Sequence, residues 1–239
     1  MTLRESINKV RAKFYNIVTN YRFVKNTSLI VISVYLSLLL IAVIIAAIWG
    51  PYSYNIWTRM ISDLGGSNYT PVPILFDIAC IFAGIMTIPL TFYIENLFAP
   101  LPTRKNLGVQ HFSRLRFRLG SNAFLFSLMG NIAYIFVGIF SEDRNYQLLS
   151  FASIHDVFSF FSFAGFAGAA FFIGWIIVLY NTKIPKFFGI YGIIGPPSML
   201  LTFLFTMEAL WEWILLFSIL FWIIPLTLMI IQKPELRPI

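Results

Sequence analysis

The sequence predicts an all-α integral membrane protein, a six-transmembrane-helix bundle preceded by an amphipathic interfacial helix. Three observations carry that expectation. Of 239 residues, 59% are hydrophobic and 11% charged, against roughly 45–50% and about 25% in soluble domains. Six apolar stretches reach the ~20 residues a helix needs to cross a hydrocarbon core ~30 Å thick. Lysine and arginine crowd onto alternate loops, as they do on the cytoplasmic side of membrane proteins. Six such stretches leave no polar chain to cover them in water, so soluble, disulfide-rich and disordered classes are excluded. A single cysteine, Cys80, excludes an intrachain disulfide and any CxxC motif. Two histidines, His111 and His155, are too few for a three-histidine zinc site.

Residues 1–27 form a basic segment in which Leu3, Ile7, Val10, Phe14, Ile17, Tyr21 and Val24 recur at alternating steps of four and three. That spacing is one face of a helix. The segment is read as a helix lying in the inner headgroup plane, with its basic residues towards anionic lipid. A short coiled coil with a partner helix is the alternative, but Phe14, Asn16 and Tyr21 are poor zipper residues. Positive charge placed by topology accounts for the cluster, so no nucleic-acid partner is expected.

The bundle follows over residues 28–232, with spans at about 29–49, 72–98, 119–140, 157–180, 187–206 and 213–231, and a short tail at 233–239. Arg4, Lys9, Arg11, Lys13, Arg22 and Lys25 precede the first span. Arg104, Lys105, Arg114, Arg116 and Arg118 lie between spans two and three, Lys183 and Lys186 between four and five, and Lys233 and Arg237 at the end. Only Arg59 and Arg144 fall on the other side, which places both termini in the cytoplasm of a multi-pass plasma-membrane protein. Trp49, Trp57, Trp211 and Trp213 stand at outer boundaries, where amphipathic rings prefer to lie. The first apolar run is too long for a signal-peptide core, so no cleaved leader is expected.

Within the spans the absence of lysine excludes a retinal Schiff base. The two histidines fall on opposite sides, which excludes a bis-histidine haem, and no arginine run suggests a voltage sensor. Polar and small residues gather on single faces: Ser127, Asn131, Tyr134 and Gly138 in span three; Ser159, Ser162, Gly165 and Ala169 below His155 in span four; Asp77, Gly84, Thr87 and Thr91 in span two. Such stripes are the usual packing seams of membrane bundles, and that is the favoured reading. The alternative is a polar crevice among these three spans, opening outward. Pro89 and Pro225 interrupt spans two and six, and Pro196-Pro197 is expected to kink span five.

On the outer side gather Asp63, Glu142, Asp143, Asp156, Glu208 and Glu212, with Asp77 just inside the membrane. Solvated loop charge is the simplest explanation and suits Glu142 and Asp143 best. A Ca²⁺ or Zn²⁺ site built from His155, Asp63, Glu142 and Glu208 is a second. A headgroup or substrate pocket with Asp63 and His155 as a polar pair is the third. Asp77 needs a partner in the apolar region, with Arg59, His155 or Tyr134 as candidates. No cofactor is predicted beyond that possible cation.

The run Met60-Ile61-Ser62-Asp63-Leu64-Gly65, followed by Pro71 or Pro73 and Leu75-Phe76, resembles the stretch after the first span in the Frag/DRAM/Sfk superfamily. That group includes damage-regulated autophagy modulators and a lipid-remodelling factor acting on GPI anchors. Val137-Gly138-Ile139-Phe140, Glu142-Asp143 and then His155 look more like its prokaryotic relatives, family 998 of the domains of unknown function, with Ser141 where that pattern has proline. The resemblance implies a six-helix bundle with Ser62, Asp63, Glu142 and His155 on its outer face, and it implies no reaction. The expected function is an outward polar site that engages a lipid headgroup or similar amphiphile. Its expected residues are Ser62, Asp63, Asp77, Asn131, Tyr134, Glu142, His155, Ser159 and Glu208. Three alternatives stand beside it: an accessory subunit with partner membrane subunits, an outer-leaflet lipid enzyme with His155 as base and Asp63 orienting it, and a proton- or cation-coupled transporter using Asp77.

Overall fold

A computed structural model describes residues 3–99, 113–150 and 152–232. The expected basic residues at 104, 105, 233 and 237, and His111, lie outside them. Helix α1 (Leu3–Val18) is followed by six helices long and apolar enough to cross a membrane. The first is α2 (Tyr21–Trp49). The second span is two helices, α3 (Ile74–Met86) and α4 (Ile88–Phe98). Then come α5 (Arg114–Ile139), α6 (Ile154–Leu179), α7 (Lys186–Thr206) and α8 (Ala209–Gln232). An antiparallel pair, β1 (Gln147–Leu149) and β2 (Ala152–Ser153), decorates the α5–α6 loop. Because the chain crosses six times, α1 and the end of α8 share one end of the bundle, the terminal end. The α2–α3 and α5–α6 loops lie at the other, distal end.

Local chemistry sets the boundaries. Asn20 caps α2, its Oδ1 accepting from the N–H groups of Arg22 and Phe23 at 3.0 and 3.2 Å. The continuous stripe expected from Leu3 to Val24 is therefore broken at residue 20. Val24 is fully buried, and the Tyr21 hydroxyl donates to the Ile231 carbonyl at the end of α8, 2.6 Å away. The last turn of the expected surface helix thus belongs to the first span. Pro89 has no N–H for the carbonyl of Ile85, and the second span breaks at Thr87, whose hydroxyl turns back to the Ala83 carbonyl at 2.6 Å. Pro196 and Pro197, by contrast, lie within one continuous α7. Ser153 and Asp156 form a capping box at the start of α6. Met207, at φ 53°, turns α7 directly into α8.

Helices α2, α3–α4, α5, α6 and α8 form a ring, and α7 packs outside it against α6 and α8. Small residues let the ring close. A Cβ on Gly165 would meet Gly130 Cα at 2.5 Å, so α5 and α6 touch backbone to backbone. A Cβ on Gly138 would strike the Asp77 carbonyl, which seats α3 against α5. The expected seam is real at these two glycines. Their hydroxyl and amide neighbours have other work.

Candidate functional site

Within the ring, at mid-depth, lies a partly open cavity of about 130 Å³. The crevice that the sequence offered as an alternative to packing seams lies among spans two, three and four. The cavity is lined by five spans, with Tyr35 and Ser28 from α2 and Leu216, Trp222 and Thr227 from α8 completing it. Most of its wall is apolar, and its polar groups are largely paired. Asn131, only 1% exposed, accepts from Thr87 Oγ1 at 2.6 Å and donates from Nδ2 to Thr91 Oγ1 at 2.9 Å. Leaving such an amide unpaired in an apolar setting would cost roughly 2–7 kcal/mol, so these three residues of the two stripes form one buried unit. The Tyr35 and Tyr134 hydroxyls bond each other at 2.7 Å. Ser28 Oγ is buried on the wall with no hydrogen-bond partner among the described residues. Above lies a second void of about 20 Å³, bounded by Ser62, Ser159 and Glu212. The two share Tyr134, Ser162, Phe163 and Leu216 as walls.

Over that column the distal loops bring titratable groups together. Asp63 stands in a short 3₁₀ turn, Ser62–Gly65, and its Oδ2 accepts from the Met60 N–H at 3.1 Å. His155, 1% exposed at the start of α6, places Nδ1 2.7 Å from the Phe140 carbonyl. A carbonyl only accepts, so Nδ1 donates its proton there and Nε2 is the nitrogen turned towards Ser159 and Glu142. Ser159 Oγ lies 3.2 Å from that nitrogen, and Glu142 Oε1 3.8 Å. The carboxylate facing His155 is therefore Glu142. Asp63, the expected partner, is engaged by its own turn. Glu142 links the two, since it feels the charge of both His155 and Asp63.

Glu212 completes the group. It is buried in the first turn of α8, and its Oε2 accepts from the Ile61 N–H at 2.6 Å. It interacts electrostatically with both Asp63 and Glu142. Sequence reasoning placed Glu212 among the outer acids but chose its neighbour Glu208 as the site residue. Glu208 is exposed on the turn, while Glu212 points inward one helical turn later. Trp213 needs the same correction. It is no boundary ring but a buried anchor, 3% exposed, donating from Nε1 to the Arg59 carbonyl at 3.1 Å. The Tyr54 hydroxyl donates to the Met60 carbonyl at 2.7 Å, so three contacts fix the strand of loop that carries Asp63.

Burial raises the pKa of Asp63, opposed by the Met60 N–H and the Arg59 charge. Burial likewise raises that of Glu142, opposed by His155 and reinforced by Asp156 and Asp63. Burial and the charges of Glu212 and Asp63 push the Tyr54 phenol up as well. Three other acids are committed elsewhere. Asp77 pairs with Arg144, Nη2 to Oδ2 at 2.6 Å, and accepts from Ser141 at 3.3 Å; Arg59, His155 and Tyr134 are not its partners. Arg144 also donates to the carbonyls of Gly138 and Ile139, closing the end of α5. Asp143 is no free loop charge, since both its oxygens accept from Ser67 at 2.9–3.0 Å. Asp156 serves the capping box. Among the described residues no group of three or more His, Cys, Asp or Glu side chains is arranged to hold a metal ion. The expected set of His155, Asp63, Glu142 and Glu208 is not assembled.

Fold and site together define a polytopic membrane protein with six spans, an intramembrane cavity and a half-buried carboxylate–imidazole group at one end of it. The chain belongs to the family described as "Protein of unknown function (DUF998)", whose profile matches residues 34–229. That range begins within α2, ends near the end of α8, takes in the whole distal group and leaves out α1. No curated protein and no solved structure matches the chain significantly.

Proposed function

We propose that this protein binds a single-chain amphiphile, its polar head among Glu142, His155, Asp63 and Glu212 and its chain in the central cavity. The observation that carries this reading is the shared wall. Tyr134, Ser162, Phe163 and Leu216 border both voids, so a single layer of side chains is all that separates the polar end from the apolar interior. The volume is compatible with it: about 130 Å³ compares with an engineered ~150 Å³ apolar cavity that admits benzene. A longer chain needs side chains such as Phe163 to move aside. Ser28 Oγ offers a hydrogen bond to whatever reaches the far wall. The acidic balance of the distal group favours a head with donor or cationic character over a phosphate.

The experiment uses Trp222, which lines the cavity. Purified protein is titrated with a detergent brominated on its alkyl chain, and tryptophan quenching is followed. Quenching should saturate, should fall by about the Trp222 share in a Trp222→Phe variant, and should be lost when Ser162→Leu adds bulk to the wall the two voids share. Linear, unsaturable quenching that survives Ser162→Leu would refute the reading. A plasma-membrane location and an accessory role within a larger complex are compatible with this proposal and form no part of it.

A further inference from the structure

At the opposite end of the molecule, the elbow between α1 and α2 holds an open groove of about 580 Å³, lined by Lys9, Ala12, Lys13, Asn16, Ile17, Asn20 and Phe23. We infer that this elbow is a discrete binding site for the phosphate headgroup of one anionic lipid. Its volume falls in the range of ligand pockets, about 300–1,000 Å³. Lys9, Lys13 and Asn16 follow at steps of four and three along one stripe of α1, and Asn20 joins them from the elbow, as the N-cap of α2. Two lysines and two asparagines thus line one groove, and none of the described residues lining it is acidic. Asn20 spends its Oδ1 on capping α2, accepting from Arg22 and Phe23. Its amide NH₂ is left as a donor.

The elbow is held rather than loose. Phe14 and Tyr15 of α1 both pack edge-on against Phe92 of α4, with centroids 5.9 and 6.2 Å apart. The occupant follows from the surroundings. Ala12, Ile17 and Phe23 give the groove apolar edges, Val10 stands 66% exposed beside it, and Phe23 opens the first membrane span. Phosphate at the mouth of a span belongs to lipid, and the apolar edges suit the first carbons of its chains. Arg11, Arg22 and Lys25 are exposed as well but do not line the groove, so they supply only the diffuse attraction that any basic segment has.

The test measures lipid binding to the full-length protein by native mass spectrometry from micelles, with phosphatidylglycerol and phosphatidylcholine as probes. One phosphatidylglycerol should bind preferentially. Lys9→Gln with Lys13→Gln should weaken it about 30-fold, the combined worth of two basic residues at a membrane surface. Asn16→Ala, which changes no charge, should weaken it several-fold. Arg11→Gln with Lys25→Gln, equal in charge but off the groove, should change it less than about threefold. Equal losses from the two charge pairs, no loss with Asn16→Ala, or equal binding of phosphatidylcholine would each overturn the discrete site. Displacement of the lipid by millimolar inorganic phosphate would overturn the lipid as its occupant. None of these variants touches the distal group or the cavity, so the outcome is independent of the amphiphile proposal.

Discussion

Glu212 and Ile61 are 151 residues apart in sequence, yet the carboxylate of one accepts the backbone N–H of the other at 2.6 Å. That bond ties the first turn of the last helix to the loop that presents Asp63. It also explains why a carboxylate occupies a site that is 5% exposed: without it, a buried N–H would have no acceptor.

The two simplest replacements should therefore part company. Glu212→Gln keeps an acceptor of the same reach, and its apparent Tm should stay near wild type. Glu212→Ala leaves the Ile61 N–H unsatisfied, at about 1–3 kcal/mol, and its apparent Tm should fall by several degrees in the same detergent. Equal Tm values for the two variants would remove the Ile61 bond from the account of this site.

Asp77 and Arg144 should show asymmetric losses. Asp77 is buried, while the Arg144 side chain is about half exposed. Arg144→Gln strands a carboxylate away from water and should cost up to about 3–5 kcal/mol. Asp77→Asn leaves an arginine free to turn outward and should cost less. The double variant should recover part of the Arg144→Gln loss, measured as the coupling term of a double-mutant cycle. Additive losses would mean the pair is incidental.

The distal carboxylates should make stability depend on pH with a definite sign. Asp63 and Glu142 have native pKa values raised above their ordinary 3.8 and 4.5, chiefly by burial. The native state therefore binds protons more tightly than the unfolded chain does. The resulting stability is complete below the ordinary values and is lost as pH rises through the raised ones. Wild-type Tm should accordingly fall, over the range just above pH 4.5, relative to an Asp63→Asn/Glu142→Gln variant. Parallel curves for the two proteins would contradict the shifts.

Orientation is open to a direct measurement. Native Cys80 is fully buried and should not react. Cysteine at Asn68, exposed at the distal end, should label with a membrane-impermeant thiol reagent on intact cells. Cysteine at Asn181, exposed in the turn between α6 and α7 at the terminal end, should label only after permeabilisation. The reverse pattern would place the carboxylate–imidazole group inside the cell.

The six spans were legible because a membrane helix announces itself by length and apolarity, both of which are additive along the chain. Asn131, Thr87 and Thr91 were legible as faces for a similar reason, since helical spacing alone aligns them. His155 and Glu142 stand out in the sequence by their pattern at the head of α6 and in the preceding loop, and the fold sets them 3.8 Å apart. Other assignments could not be read in one dimension. Whether Glu208 or Glu212 enters the site depends on the direction in which α8 starts, and Met207, turning left-handed, sets that direction. Arg144 was visible as an outer charge, but its pairing with Asp77 requires the α5–α6 loop to fold back over α3. The break at Asn20 was masked because the apolar stripe keeps its period through residue 24 while the helix does not. Sequence thus determined which segments cross the bilayer and which residue types face one another along each helix, because those follow from local spacing and transfer free energy. Only the tertiary structure decided which polar groups meet, because a hydrogen bond or ion pair depends on positions fixed to within about an ångström by the packing of separate helices.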